Sequence, residues 1–355
     1  MRDFLRTALT IALTLCGTMI GAGFASGQEL LQFFIAYGRF GLAGVAFAGA
    51  LFAAVAWRLL AVSRRMRLQT HLELVYLLCG RRLGGLFNLA IAAFLFVLLV
   101  LMLAAANAAA DGSPLPAGSA GFMLAALAIC AALRGSSGIA QVNFAATPLL
   151  AAAIAFVCAS SLSYHGWHPG LLEQAASLSA QPAPHWLLGC TLYVAYNFAL
   201  GATVLVPLGR SARKPAACAA GSILGGLLLA ALSLLIALTL LVHTPHILSQ
   251  QLPMLHISCT QSVWHAALYG TVLLLSMFTT SSACLYGCAC KLRSATGQSA
   301  PLSLFFCAAA ALSFSGIAFN RIIATLFPLF GYLSLFLLIR LFTVKLPKQK
   351  GGPAR

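Results

Sequence analysis

Carboxylates are nearly absent from this chain. Five acidic residues, Asp3, Glu29, Glu73, Asp111 and Glu173, stand among 355. Charged residues of both signs make up only 7%, where a soluble globular domain carries about 25%. That scarcity excludes an ordinary soluble fold. Alternating segments of about ten residues, the mark of a transmembrane barrel, are also missing. The chain has no HExxH and no CxxC, and no histidine lies centrally in an apolar run. An intramembrane protease built on the Gly23-Phe24-Ala25-Ser26-Gly27 loop would therefore lack its base, and the chain is not expected to be an enzyme. No soluble signalling domain interrupts the apolar runs.

What the chain has in abundance is hydrophobic surface, 61% of residues, with a mean hydropathy of +0.97. This composition specifies an all-α polytopic membrane protein, because helices satisfy every backbone group inside lipid. Apolar runs of about 20 residues give ten spans, at 6–36, 40–62, 86–109, 118–134, 138–162, 185–208, 216–242, 262–289, 301–318 and 320–341. Residues Met1 to Cys16 read as half of the first span rather than as a signal peptide. Thr70 to Arg82 reads as an amphipathic piece lying along the membrane surface. The transporter domain is expected to cover 1–345, with 346–355 as a disordered, basic cytoplasmic tail.

A formal net charge of +16 would suggest nucleic acid in a soluble protein. Its placement says otherwise. With the N-terminus inside, nineteen of the 21 lysines and arginines fall on the cytoplasmic side, leaving Arg39 and Arg321 outside. The basic residues are thus an insertion signal, with both termini cytoplasmic in a bacterial inner membrane and the lipid bilayer, not nucleic acid, as partner. Nothing in the sequence sets an oligomeric state. Histidines lie mostly on the outer side, where the pairs His165/His168 and His243/His246 can be read as metal or pH sites, or simply as wet-loop residues. Cys284, Cys288 and Cys290 lack zinc spacing and read as packing residues.

The first run, Phe4 to Tyr37, is too long for one straight crossing of about 20 residues. Gly21-Ala22-Gly23-Phe24-Ala25-Ser26-Gly27-Gln28-Glu29 supplies an interruption near the midplane, since unwound backbone at that depth survives only where it lines protein or a polar cavity. Backbone N–H groups at Gly21, Ala22 and Gly23 suit an anionic group such as an amino-acid carboxylate. The spacings Gly17/Gly21 and Gly23/Gly27 also fit tight helix packing, as does Gly221/Gly225. Glu29 is the only carboxylate inside a span. Eight residues beyond Gly21, it would lie about 12 Å outward along an ideal helix, placed to gate, bind an amine, take a coupling proton or cap a half-helix.

Ten spans divide into two inverted sets of five, about 5–162 and 185–341, a plan that predicts an interruption in the sixth span as well. That span carries Tyr193, Tyr196, Asn197 and Gly201 near the midplane. The eighth carries Thr279, Thr280, Ser281 and Ser282, four successive hydroxyls of which Thr279 and Ser282 share a face. They suit an oxygen-lined Na⁺ site made with carbonyls of the first helix, or merely bond back to their own helix. Pro148 and Pro207 are expected at kinks or helix ends.

The run Gly17-Thr18-Met19-Ile20-Gly21-Ala22-Gly23-Phe24-Ala25-Ser26-Gly27-Gln28-Glu29 resembles the opening helix of the YkvI-like family of bacterial membrane proteins, within the amino acid-polyamine-organocation superfamily. The resemblance continues through Arg134 to Ile139, Tyr193 to Asn197, Val206 to Gly209, Pro253 to Leu255, Thr279-Thr280 and Phe327 to Tyr332. It implies a LeuT-like fold with five-plus-five inverted repeats and discontinuous helices 1 and 6. It also implies substrate contact at Gly21, Ala22 and Gly23, and a sodium site at Thr279, Thr280 and Ser281 or Ser282. The expected function is ion-coupled secondary transport of amino acids or related small zwitterionic or cationic solutes, with Na⁺ or H⁺ as coupling ion and no cofactor. The alternative is a transporter-like sensor or channel that does not concentrate its ligand.

Overall fold

The computed structural model describes residues 2–111, 114–164, 170, 171, 173, 181–212, 214–317 and 319–346. Every regular element among them is helical. The first apolar run is divided into α1 (Arg2–Met19), α2 (Ala22–Ser26) and α3 (Gln28–Phe33), followed by a 3-10 turn at Ile35–Tyr37. Then come α4 (Arg39–Met66), α5 (His71–Ala109), α6 (Ser119–Ala132) and α7 (Gly135–Tyr164). The second half holds α8 (Trp186–Ser211), α9 (Pro215–Val242), α10 (Pro253–Gln261), α11 (Val263–Thr296), α12 (Ala300–Phe314) and α13 (Phe319–Thr343).

Seven of the described helical segments are long and apolar enough to cross a membrane: α4, α5, Ala146–Ser163 within α7, α8, α9, α11 and α13. The sequence suggests ten. The difference lies in the divided first run and in α6 and α12, whose 14 and 15 residues reach only about 21–23 Å at 1.5 Å per residue. A hydrocarbon core is about 30 Å thick. The amphipathic piece is joined to the third run: α5 begins at Thr70, whose hydroxyl accepts from the Glu73 N–H, while the Glu73 carboxylate accepts from Gln69 N–H at 2.8 Å. This reciprocal cap fixes the start, and Gly80 at φ 72° bends the helix before it enters the bundle.

Close crossings of small residues hold the bundle. A Cβ on Gly221 would lie 2.6 Å from the Ala8 carbonyl, and one on Gly225 would lie 2.8 Å from Leu15, so α9 is pressed against α1. Gly226 and Gly49 do the same for α9 and α4. These glycines are packing residues, the blander of their two readings. At one end of the bundle the Arg58 guanidinium donates to the carbonyls of Leu341 and Val344, and Arg340 donates to Leu78 O at 2.8 Å. Each arginine thereby caps the C-terminal end of another helical segment, where the dipole favours a cation.

One expectation changes at this level, and a second is narrowed. The sixth run is one continuous helix, α8, without an interruption. Gly201 sits inside it, facing Met19 on α1, and a lone glycine costs a helix only about 1 kcal/mol. The Asn197 amide, a candidate breaker, instead donates to the Tyr193 carbonyl one turn back at 3.0 Å and follows the helix. Of the two places expected for Pro148 and Pro207, helix ends are excluded, because α7 and α8 run past them. The His165/His168 pair and the tail beyond 346 lie outside the described residues.

Candidate functional site at the first-helix break

The site begins with backbone. α1 ends at Met19, and Gly21 caps α2 in an extended conformation with its N–H on the Met19 carbonyl at 3.0 Å. α2 is only five residues long before Gly27, at φ 85°, reverses the chain and starts α3. A side chain is strained in that left-handed region, so glycine is required there. The exposed peptide groups of the reversal are closed by side chains: Ser26 donates to Gly23 O at 3.0 Å and Tyr269 of α11 to Ala25 O at 2.5 Å. Gln28 reaches the Gln250 carbonyl at 2.5 Å.

The reversal moves Glu29. Its Oε1 atom fills the place a Cβ on Gly23 would take, with Cδ 2.8 Å from that point. The carboxylate is thus folded back into the break, not displaced outward along a straight helix, because the straight-helix geometry fails once Gly27 turns left-handed. Glu29 is 6% exposed, and Tyr196 of α8 donates its hydroxyl to Oε2 at 2.8 Å. One hydrogen bond therefore ties the first segment to the sixth run. Tyr193 lies beside the pair, its ring 5.5 Å from that of Tyr196 and its buried hydroxyl within reach of the Glu29 carboxylate.

Aromatic rings close the surroundings. Phe33 stands 5.6 Å from Tyr193 and 5.7 Å from Tyr196, and Phe327 of α13 stands 5.0 Å from Tyr196. Phe94 of α5 and Phe52 of α4 flank the two tyrosines at 6.1 and 5.8 Å. Among the described residues no lysine, arginine or histidine pairs with Glu29, which accepts from the Tyr196 phenol.

On the α11 side of the break, Ser276 donates to the Ile20 carbonyl at 3.5 Å, and the Thr280 hydroxyl lies 3.7 Å from where a Cβ on Gly21 would be. Thr279 donates to the Ser276 carbonyl at 3.0 Å. Ser281 and Ser282 both donate to Phe278 O, at 3.1 and 2.7 Å, so their hydroxyls are committed to their own helix.

Over 348 residues the chain is 26% identical to the uncharacterized membrane protein YkvI of Bacillus subtilis (strain 168), covering 97% of this chain and 98% of that one. The uncharacterized protein YyaD of the same organism is 24% identical over 336 residues, 94% of this chain and 96% of its own. The chain is thus similar to YkvI along nearly the whole length of both proteins. No family model matches it. Among solved structures it is similar to Mhp1, a nucleobase-cation-symport-1 family transporter in a closed conformation with bromovinylhydantoin bound. The TM-score is 0.62 at 15% identity, over 90% of this chain and 74% of that one. A Na⁺-coupled sialic acid symporter in a substrate-bound outward-open state gives 0.64 at 12% identity, over 95% and 79%. MhsT in complex with L-phenylalanine gives 0.62 at 14%, over 93% and 87%. These likenesses establish the LeuT fold.

The structure brings together Gly23, Glu29, Tyr193 and Tyr196, all named from sequence, while Gly21 faces Thr280 of α11. It sets apart Asn197, spent on its own helix, and Gly201, packed on Met19. Sequence reasoning missed Ser276, Tyr269 and the phenylalanine ring cluster. Ser276 had a signal, lying one turn before Thr280 on the same face; Phe33, Phe94 and Phe327 had none, because apolar residues in a membrane chain do not announce which cavity they line. No group of three or more histidine, cysteine or acidic side chains gathers among the described residues, and the eleven cysteines are free thiols. His243 and His265 bond to Thr239 O and Ser262 Oγ near helix ends. A small, nearly apolar cavity lies one to two turns beyond Tyr196 along α8, lined by Phe198, Ala199 and Ala202 with His71 and Leu337 opposite.

Proposed function

We propose that this protein is an ion-coupled secondary transporter of amino acids or related small zwitterionic or cationic solutes, working by alternating access. The observation that carries the reading is the Glu29 carboxylate folded into the first-helix break and bonded to Tyr196 of α8. A buried acid at broken membrane helix is expensive and is kept where it serves a pathway. This bond joins the first and sixth runs, the corresponding first helices of the two inverted halves, between which such transporters place their sites. The likeness to proteins described as symporters supports transport, and the substrates of those proteins are their own.

The reading includes ten crossings, with the divided first run, α6 and α12 added to the seven long helices, and two inverted repeats at about 5–162 and 185–341. It places the protein in a bacterial cytoplasmic membrane with both termini inside. Substrate binds between Gly21, Ala22, Gly23 and the tyrosines Tyr193 and Tyr196. A coupling Na⁺ would be held by oxygen: the Ile20 carbonyl with hydroxyls of Ser276 and Thr280, which already face the break, joined by Thr279 once it releases its bond to the Ser276 carbonyl. A coupling proton would reside on Glu29.

The test is uptake of a labelled panel of amino acids and amines by proteoliposomes, with and without Na⁺ and pH gradients. Gradient-dependent accumulation of at least one solute is expected. Binding without accumulation would replace transport by sensing, and downhill flux alone would indicate a channel. Thr280→Ala with lost Na⁺ stimulation assigns coupling to sodium, whereas Glu29→Gln with lost pH dependence assigns it to the proton.

A further inference from the structure

Residues 71–79, the start of α5, form a unit of their own. The Thr70 and Glu73 cap fixes one end, and at the other the chain turns at Gly80 with φ 72° and ψ 176°, a backbone region that only glycine enters readily. A Cβ on Gly80 would meet nothing within 4 Å, so this glycine answers to conformation and not to packing. Beyond the turn the Tyr76 ring lies 2.6 Å from where a Cβ on Gly84 would be. In an unbroken helix two residues eight apart are separated by about 12 Å, so the unit folds sharply over the helix that follows. Arg340 of α13 then holds it, donating through Nε to the Leu78 carbonyl at 2.8 Å.

Under the unit lies the nearly apolar cavity beside α8, about 10 Å³ and room for roughly one water. His71, Leu74, Val75 and Leu78 form one wall, and Ala202 of α8 and Leu337 of α13 belong to the others. The cavity continues the groove of the Glu29 site. Ile91 on its wall lies one turn from Phe94 along α5, and Phe94 meets Tyr196 edge-on at 6.1 Å and stacks on Phe330 of α13 at 3.8 Å between ring centroids. On α13, between Phe330 and Leu337, the Ser334 hydroxyl is buried and makes no hydrogen bond among the described residues. Such a group is costly in a dry place, and water entering the groove would satisfy it.

Resting on the transporter reading, we infer that residues 71–79 are the inner lid of the transport path, hinged at Gly80 and latched by Arg340. The way from the Glu29 site to the cytoplasm runs between α5, α8 and α13, past the stacked pair Phe94 and Phe330 and out beneath the lid. Closure is held by the burial of Leu74, Val75 and Leu78 and by the single bond from Arg340. Arg340 touches no cargo and acts as a positioning residue.

The experiment places a thiol in the cavity of the full-length protein as Ala202→Cys, with the native cysteines kept. Labelling of residue 202 by N-ethylmaleimide in inside-out vesicles, read on its peptide by mass spectrometry, should be slow. Adding Arg340→Gln should speed it about tenfold or more, the effect of one lost hydrogen bond on a local opening. Arg340→Lys keeps a donor and the charge and should restore most of the protection. Gly80→Ala favours a straight helix over the turn and should also speed labelling. Cys158 on α7, fully buried, serves as the packing control and should not change. In proteoliposomes Arg340→Gln should keep the initial rate of uptake while the accumulated level falls several-fold, because an inner face that does not close leaks. Should Arg340→Gln fail to fold, Gly80→Ala, whose new carbon meets nothing, decides alone. Labelling of residue 202 that stays slow in the folded variants, or labelling of Cys158 that rises in step with it, would overturn the lid and leave transport standing. A wild-type protein that accumulates no solute would overturn transport, and the lid's place in it, whatever the labelling shows.

Discussion

A methyl group on residue 23 would meet a flexible side chain, while one on residue 41 would meet backbone. The difference separates function from folding at the level of single residues. In Gly23→Ala the new carbon collides with the end of the Glu29 side chain, which can swing away, and alanine improves the local helix by up to about 1 kcal/mol. Loss of the buried Glu29–Tyr196 bond costs about 1–3 kcal/mol against that gain, so the thermal midpoint should fall only slightly while uptake falls about tenfold or more. In Gly41→Ala the carbon meets the Phe34 carbonyl, which cannot move alone, so about 1–3 kcal/mol of stability should be lost in a thermal melt. Glu29 was legible in the sequence as the one acid within an apolar run. Its place was not, because a helical rise carries residue 29 about 12 Å from residue 21, and one left-handed residue at 27 cancels that distance.

Elements show a similar division. The break in the first run follows from composition, since no helix of that length fits the bilayer and its glycines lie near the middle. The sixth run contained the same residue types, yet α8 is continuous: an asparagine that bonds one turn back and a glycine that accepts a neighbouring methionine both suit an unbroken helix. Pattern alone does not distinguish a polar residue facing a cavity from one serving its own backbone. The hydroxyl run on α11 makes the point testable. Ser276 donates to Ile20 O across the break, while Ser282 donates to Phe278 O within its helix. In Na⁺-gradient uptake, Ser276→Ala should raise the half-saturating sodium concentration several-fold, about 1 kcal/mol for one lost oxygen contact, and Ser282→Ala should leave it nearly unchanged. Equal effects of the two would remove the sodium site from this face.

For the whole molecule, the orientation proposed here rests on the sequence alone, because insertion counts basic residues and needs no knowledge of packing. The structure adds why some of those residues stay fixed: Arg58 and Arg340 cap helical segments at one end of the bundle, so the charges that orient the chain also close that end. Two exposed thiols lie on opposite sides in this arrangement, Cys259 on α10 between the seventh and eighth runs and Cys290 next to Lys291 at the far end of α11. Single-cysteine versions retaining one or the other should answer a membrane-impermeant maleimide oppositely. In intact cells Cys259 should label and Cys290 should not, and in inside-out vesicles the pattern should reverse. Labelling of both from one side would break the five-plus-five arrangement, since α11 would then fail to cross.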